Sequence, residues 1–198
     1  MHWKHTTDHY SSLSIVMHWL MLLLLVAVYA CIELRELYPK GSDPRETLKQ
    51  WHFMLGLAVF ALVWLRLALR MWGVPPQIKP EFGVWQHRLA IAVHLALYAF
   101  MVVMPLLGWL LLSAEGKPVP FFGLELPALV GTDEAFSDSI KTVHETLGTI
   151  GYYLVGLHAI AALFHHYVLR DNTLLRMLPR RRRREDDRES IHSRRFLQ

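Results

Sequence analysis

The sequence has 198 residues, which is enough for one domain or two small ones. Hydrophobic residues make up 53% of it and charged residues only 19%, whereas an average soluble domain carries about 25% charged residues. This composition argues against a disordered chain and a typical soluble enzyme, and it favours a membrane protein. The single cysteine, Cys31, excludes an internal disulfide framework and an iron–sulfur cluster held by this chain alone.

Four long apolar runs follow one another along the chain, at residues 13–32, 51–72, 89–112 and 147–169. Each has about 20 residues or slightly more, which at about 1.5 Å per residue spans a hydrocarbon core of roughly 30 Å. Because backbone polar groups in lipid must be paired within their own segment, each run is predicted to be a helix. We therefore expect an all-α integral membrane protein, an antiparallel bundle of four transmembrane helices.

The remaining segments are short and polar. The connector at residues 113–143 is acidic and contains three prolines, which predicts a surface loop with a short amphipathic piece. The expected membrane domain covers residues 1–178, and residues 179–198 form a basic, then mixed-charge tail that is predicted to be disordered. We interpret the arginine run at residues 180–184 as a topology anchor on anionic lipid.

The distribution of basic residues predicts the orientation in the lipid bilayer. Arginine and lysine are frequent in the tail and between the second and third helices, whereas the connector at 113–143 is acidic. The positive-inside rule then places both termini in the cytoplasm. Much of the net charge of +4 lies in the tail and not along a folded face, so no nucleic-acid partner is expected.

Four histidines fall within the predicted bundle at two matched depths. His52 and His144 lie at the outer ends of helices two and four, and His18 and His158 lie in the inner halves of helices one and four. The 14 residues between His144 and His158 are about four turns, which returns the side chain to nearly the same face about 21 Å away. Two stacked histidine pairs in a four-helix bundle are what two bis-histidine haems require.

Other interpretations of these histidines remain open at this point. They could form a polar helix interface, a proton relay or a path for a divalent metal. On helix three, His94 is a rival ligand for the inner haem, and His87 lies on the same face. Gly56 and Gly148, one turn after a candidate ligand, would let a flat macrocycle approach the backbone or would let helices pack closely.

Three segments of the sequence resemble the bacterial cytochrome b561 family. They are KTVHETLGTIGYYLVGLHAIAALFHHYVLRDNTLLRMLP at residues 141–179, IVMHWLM in helix one and HLALYAFMVVMPLLGW in helix three. The resemblance covers about residues 10–178, and it is closest to the branch of superoxide oxidases, which pass electrons from superoxide through two b haems to ubiquinone. It implies a bacterial inner-membrane protein with two haem b groups. The haem ligands implied are His18, His52, His144 and His158.

Two lysines are candidates for the site where superoxide is oxidised. Lys49 and Lys141 each lie three residues before an outer histidine, which can place both ammonium groups one turn above the outer haem. Together with Arg45 they could attract the superoxide anion although the connectors are acidic overall. Alternatively, the lysines neutralise haem propionates.

The inner end is the expected quinone site, and His165 is its candidate catalytic residue. It follows His158 by about two turns, matches a residue near the quinone in the resembling branch, and has the proton chemistry that quinone reduction requires. The alternative is that His165 extends to the lipid headgroups. His166 is offset from it by about 100° and could face lipid or headgroups. Arg66 and Arg70 could hold inner haem propionates or reach phosphate groups.

The sequence thus predicts a self-contained superoxide:ubiquinone oxidoreductase that requires no protein partner. The alternative function is a di-haem membrane anchor that relays electrons between a partner dehydrogenase or hydrogenase and the quinone pool. In a third alternative, the chain is a haem-free transporter, and the same histidines line its transport path.

Overall fold

The computed structural model describes residues 10–72, 78 and 83–178. It contains four long helices, which are α1 (Ser12–Leu34), α2 (Asp43–Met71), α3 (Val84–Ala114) and α4 (Glu134–Tyr167). All four are long and apolar enough to cross a membrane. The predicted bundle of four transmembrane helices is therefore confirmed, while the proposed tail and its arginine run lie outside the described residues.

Two helices begin well before the predicted apolar runs, whereas α1 matches its run within two residues and α4 ends two residues earlier than predicted. α2 begins at Asp43 rather than at residue 51, and α4 begins at Glu134 rather than at residue 147. The apolar runs mark only the part that suits lipid. Helix α2 begins without a side-chain cap hydrogen bond and has Pro44 in its first turn, whereas α4 has a side-chain cap. At α4 this cap is Asp133, whose Oδ1 accepts a hydrogen bond from the Phe136 N–H at 2.9 Å.

A β-hairpin occupies part of the predicted loop at residues 113–143. Strand β1 (Val119–Phe121) pairs antiparallel with β2 (Leu124–Leu126). The turn uses positive φ angles at Phe122 and Gly123, 46° and 88°, which is typical of tight hairpins. Val119 is 1% exposed and packs on Leu57 and Leu112, so the hairpin is fixed to the bundle.

The hairpin defines the two ends of the molecule. We call the end that carries β1 and β2 the hairpin side, and the end where α1 begins and α4 ends the termini side. Helix α1 packs on α2, α2 on α3 and α3 on α4. A small central cluster joins α1, α2 and α3: Met21, Val59, Val63 and Met101. Many other large apolar side chains face outward, as lipid-facing helices require.

Candidate haem and substrate sites

His52 and His144 meet in a cavity on the hairpin side. Their ring centroids are 6.3 Å apart with the ring planes at 77°, and both line a cavity of about 830 Å³. Two imidazoles on opposite faces of one metal, each about 2 Å from it, would place the ring centroids roughly 6 Å apart. The observed spacing therefore fits a pair of axial ligands.

The surroundings of this pair suit a flat cofactor. His52 Nδ1 lies 2.9 Å from the Val28 carbonyl oxygen, which can only accept, so Nδ1 carries the proton and Nε2 is left for a metal. A Cβ atom added to Gly56 would meet nothing within 4 Å, and one added to Gly108 would lie 3.5 Å from His144 Cε1. Glycine thus leaves room beside the histidine pair in the cavity.

His18 and His158 form a second pair on the termini side, with ring centroids 6.3 Å apart and ring planes at 72°. Here the hydrogen bonding differs, because Arg66 Nη2 donates to His18 Nδ1 at 2.9 Å. A neutral ring that accepts at Nδ1 keeps its proton on Nε2. Ligation through Nε2 therefore requires that Arg66 release the ring and that the proton move to Nδ1.

The rival histidine on α3 also lies at the termini side. The ring centroid of His94 is 5.3 Å from that of His158, with ring planes at 85°, and His94 Nδ1 is 2.6 Å from the Ala90 carbonyl oxygen. This ring pair is about 1 Å closer than two ligands on opposite faces of one metal would be. His87 is exposed near the start of α3.

The two candidate lysines both line the hairpin-side cavity but differ in their partners. Lys49 Nζ lies 2.8 Å from Glu46 Oε1, which offsets its charge. Lys141 is exposed, and within the part of the chain that the structure describes it has no carboxylate at ion-pair distance.

Arg45 is more deeply buried than the two lysines, and several hydrogen bonds hold its guanidinium in place. It is 7% exposed, pairs with Glu36 at 2.9 Å and donates to the Arg35 and Tyr38 carbonyl oxygens at 3.0 Å each. These bonds tie the end of α1 to the start of α2. Arg45 therefore contributes to the fold, and it also lines the hairpin-side cavity.

The candidate quinone residue has an acidic partner. His165 Nδ1 lies 2.6 Å from Asp171 Oδ2, in the segment after α4. The His165 side chain is 18% exposed, and that of Asp171 is 2% exposed. One end of this dyad is therefore accessible and the other is enclosed.

Comparison with known proteins identifies the family. The family model described as prokaryotic cytochrome b561 matches residues 9–180. The chain belongs to this family. "Cytochrome b561 homolog 1" of Escherichia coli (strain K12) is 39% identical over 174 residues, which are 88% of this chain and 99% of that protein. "Probable superoxide oxidase CybB" of Yersinia pestis is 37% identical over 172 residues, 87% and 97% of the two chains.

As a prokaryotic cytochrome b561, the chain is a bacterial membrane electron-transfer protein that uses b-type haem. The donor set fits this cofactor. Among the described residues there is no group of three or more histidine, cysteine or acidic side chains that could hold a metal. The two imidazoles of each histidine pair lie close enough together that they could hold a haem iron between them.

Sequence reasoning missed two residues of this cytochrome b561. Gly108 was not singled out, because only the packing of α3 on α4 brings it against the His144 ring. Asp171 carried no signal either, since its contact with His165 depends on a chain reversal after α4. Arg170 makes this reversal with a φ of 55°, a conformation that a non-glycine residue rarely adopts.

Proposed function

We propose that this cytochrome b561 is a superoxide oxidase that reduces ubiquinone. One observation carries the proposal. Two pairs of histidines lie at two depths of the bundle, and the ring centroids within each pair are 6.3 Å apart. The 37% identical relative described as a probable superoxide oxidase supports the choice of electron donor. We also propose that residues 1–178 form the membrane domain and that residues 179–198 follow it as a tail.

In this proposal His52 and His144 hold one haem b, and His18 and His158 hold the other. When bound, the two haems would accept and release single electrons and so connect the two sides of the bilayer. The protein contributes the spacing, the glycine-lined space beside Gly56 and the Val28 carbonyl that sets the His52 tautomer. His94, at 5.3 Å from His158, is a neighbour of the termini-side pair and not a ligand.

Superoxide is oxidised at the hairpin side, which we place in the periplasm. The described termini side carries Arg70, Arg88 and Arg170, which supports a cytoplasmic location for that side. Lys141 is the cation that attracts the anion, since Lys49 is already paired with Glu46. Two superoxide anions lose one electron each and leave as O2.

Ubiquinone is reduced at the termini side, where His165 supplies protons. One ubiquinone takes up two electrons and two protons to become ubiquinol, so a group that exchanges protons must stand beside its oxygens. His165 lies about two turns beyond His158 on α4, or about 10 Å further toward that side. Its partial exposure lets it reload from water.

Stopped-flow spectroscopy of the detergent-purified chain tests the proposal. Superoxide should reduce the haem without any partner protein, and a soluble ubiquinone analogue should then reoxidise it. Replacing His165→Ala should leave the haem content and superoxide-driven reduction unchanged but should slow reoxidation. If superoxide does not reduce the haem unless a dehydrogenase is present, the chain is an electron-relay subunit instead. If His165→Ala reoxidises at the parent rate between about pH 6 and pH 8, the quinone site lies elsewhere.

A further inference from the structure

The chain turns back after α4, so that the following segment lies against His165. Arg170 reverses the chain with a φ of 55°, and the Asp171 N–H then donates to the His165 carbonyl oxygen at 3.1 Å. The Asp171 carboxylate also contacts the imidazole of His165, with His165 Nδ1 and Asp171 Oδ2 2.6 Å apart. His165 is therefore held at its backbone and at its ring by one residue.

Further hydrogen bonds fix the position of the Asp171 carboxylate. The Thr173 N–H donates to Asp171 Oδ1 at 2.8 Å, so each carboxylate oxygen has a hydrogen bond. Further along, Trp19 Nε1 donates to the Met177 carbonyl oxygen at 2.8 Å, which fastens the segment to α1. The position of the carboxylate thus depends on the fold of the segment and not on His165 alone.

Asp171 is ionised at neutral pH. Burial acts to raise the pKa of this carboxyl group, but the hydrogen bonds from the Thr173 N–H and the His165 imidazole outweigh burial and hold the pKa below its usual value. An ionised carboxylate can only accept, so the Nδ1 atom of His165 must carry a proton. In the neutral ring with its proton on Nδ1, Nε2 is the acceptor nitrogen.

We propose that Asp171 is a positioning residue for quinone reduction, which fixes the ring and tautomer of His165 so that Nε2 faces the quinone oxygen. This inference rests on the proposed function of His165. In each proton transfer, Nε2 takes a proton from water on the termini side and gives it to the quinone oxygen as an electron arrives. Two such transfers and two electrons convert ubiquinone to ubiquinol, and Asp171 keeps its charge throughout, as the acidic partner of a catalytic histidine does.

Kinetics of the full chain, loaded with haem, test the proposal. Asp171→Asn should lower the maximum rate of reoxidation by a soluble ubiquinone analogue by about 10- to 100-fold, with little change in KM. Haem content and superoxide-driven reduction should stay at parent values. Asp138→Asn, on the exposed part of α4 at the hairpin side, makes the same chemical change and should leave reoxidation unaffected.

A double variant separates positioning from a structural role. If Asp171 acts through the imidazole, Asp171→Asn should slow reoxidation no further in a His165→Gln background. If the double variant is markedly slower than His165→Gln, or if it loses haem, Asp171 supports the fold and the proposal is overturned.

Nuclear magnetic resonance of chain labelled with ¹⁵N-histidine gives a readout independent of turnover. The signal that disappears in His165→Gln should report a proton on Nδ1, and Asp171→Asn should shift that ring toward a mixture of tautomers. An unchanged tautomer in Asp171→Asn overturns the inference. Parent reoxidation in Asp171→Asn, with slow reoxidation in His165→Gln, also overturns it but leaves the proposed quinone site intact. Parent reoxidation in His165→Gln overturns the quinone site itself.

Discussion

Removing single histidines tests how the four candidate ligands are paired. Both pairs have ring centroids 6.3 Å apart, so in the proposed pairing the loss of one imidazole would leave a haem with a single protein ligand. We expect about two haems per parent chain and about one in each single alanine variant. Double variants are decisive: His52→Ala with His144→Ala should retain about one haem, whereas His52→Ala with His158→Ala should retain about none.

The assay is haem content per chain of 23.0 kDa, measured from the pyridine haemochromogen spectrum of detergent-purified protein. Gly56→Leu should lose the same haem as His52→Ala, because a side chain there would fill the open space beside the pair. His94→Ala is the matched control and should keep both haems. A cross-pair double variant that retains one haem would refute the pairing, and loss of one haem in His94→Ala would move a ligand to α3.

Three further predictions follow from particular contacts. Lys141→Glu should slow superoxide-driven reduction more than Lys49→Glu, since Glu46 already offsets Lys49; in stopped flow the difference should vanish near 1 M salt, where the screening length is about 3 Å. Gly151→Leu should lower the thermal unfolding temperature in detergent, because even a Cβ there would collide with side chains of α1 and α3, and overpacking costs about 1–3 kcal/mol. The lowered pKa of Asp171 means that its stabilising contribution is present at neutral pH and is lost only as the pH falls through that pKa. The difference in thermal stability between the parent and Asp171→Asn should therefore be larger at neutral pH than below about pH 4, where it should shrink.

The sequence by itself determined the membrane architecture and the depth of the candidate ligands. A run of about 20 apolar residues can satisfy its backbone in lipid only as a helix, so the four spans follow from composition and length. The rise of an α-helix is fixed, so the 14 residues between His144 and His158 already place these side chains on one face at two depths. The resemblance in the segment that contains both histidines gave the family, which the match over residues 9–180 confirms.

Tertiary structure decided which groups meet these side chains. The Val28 carbonyl sets the tautomer of His52, and Arg66 donates a hydrogen bond to His18. Glu46 forms an ion pair with Lys49, whereas Lys141 has no ion-pair partner among the described residues. The partner of His165 depends on a reversal at Arg170 that no local pattern predicts. Spacing along one helix is a local property that the backbone geometry fixes, whereas the partner of a side chain on another segment depends on how that segment packs and turns.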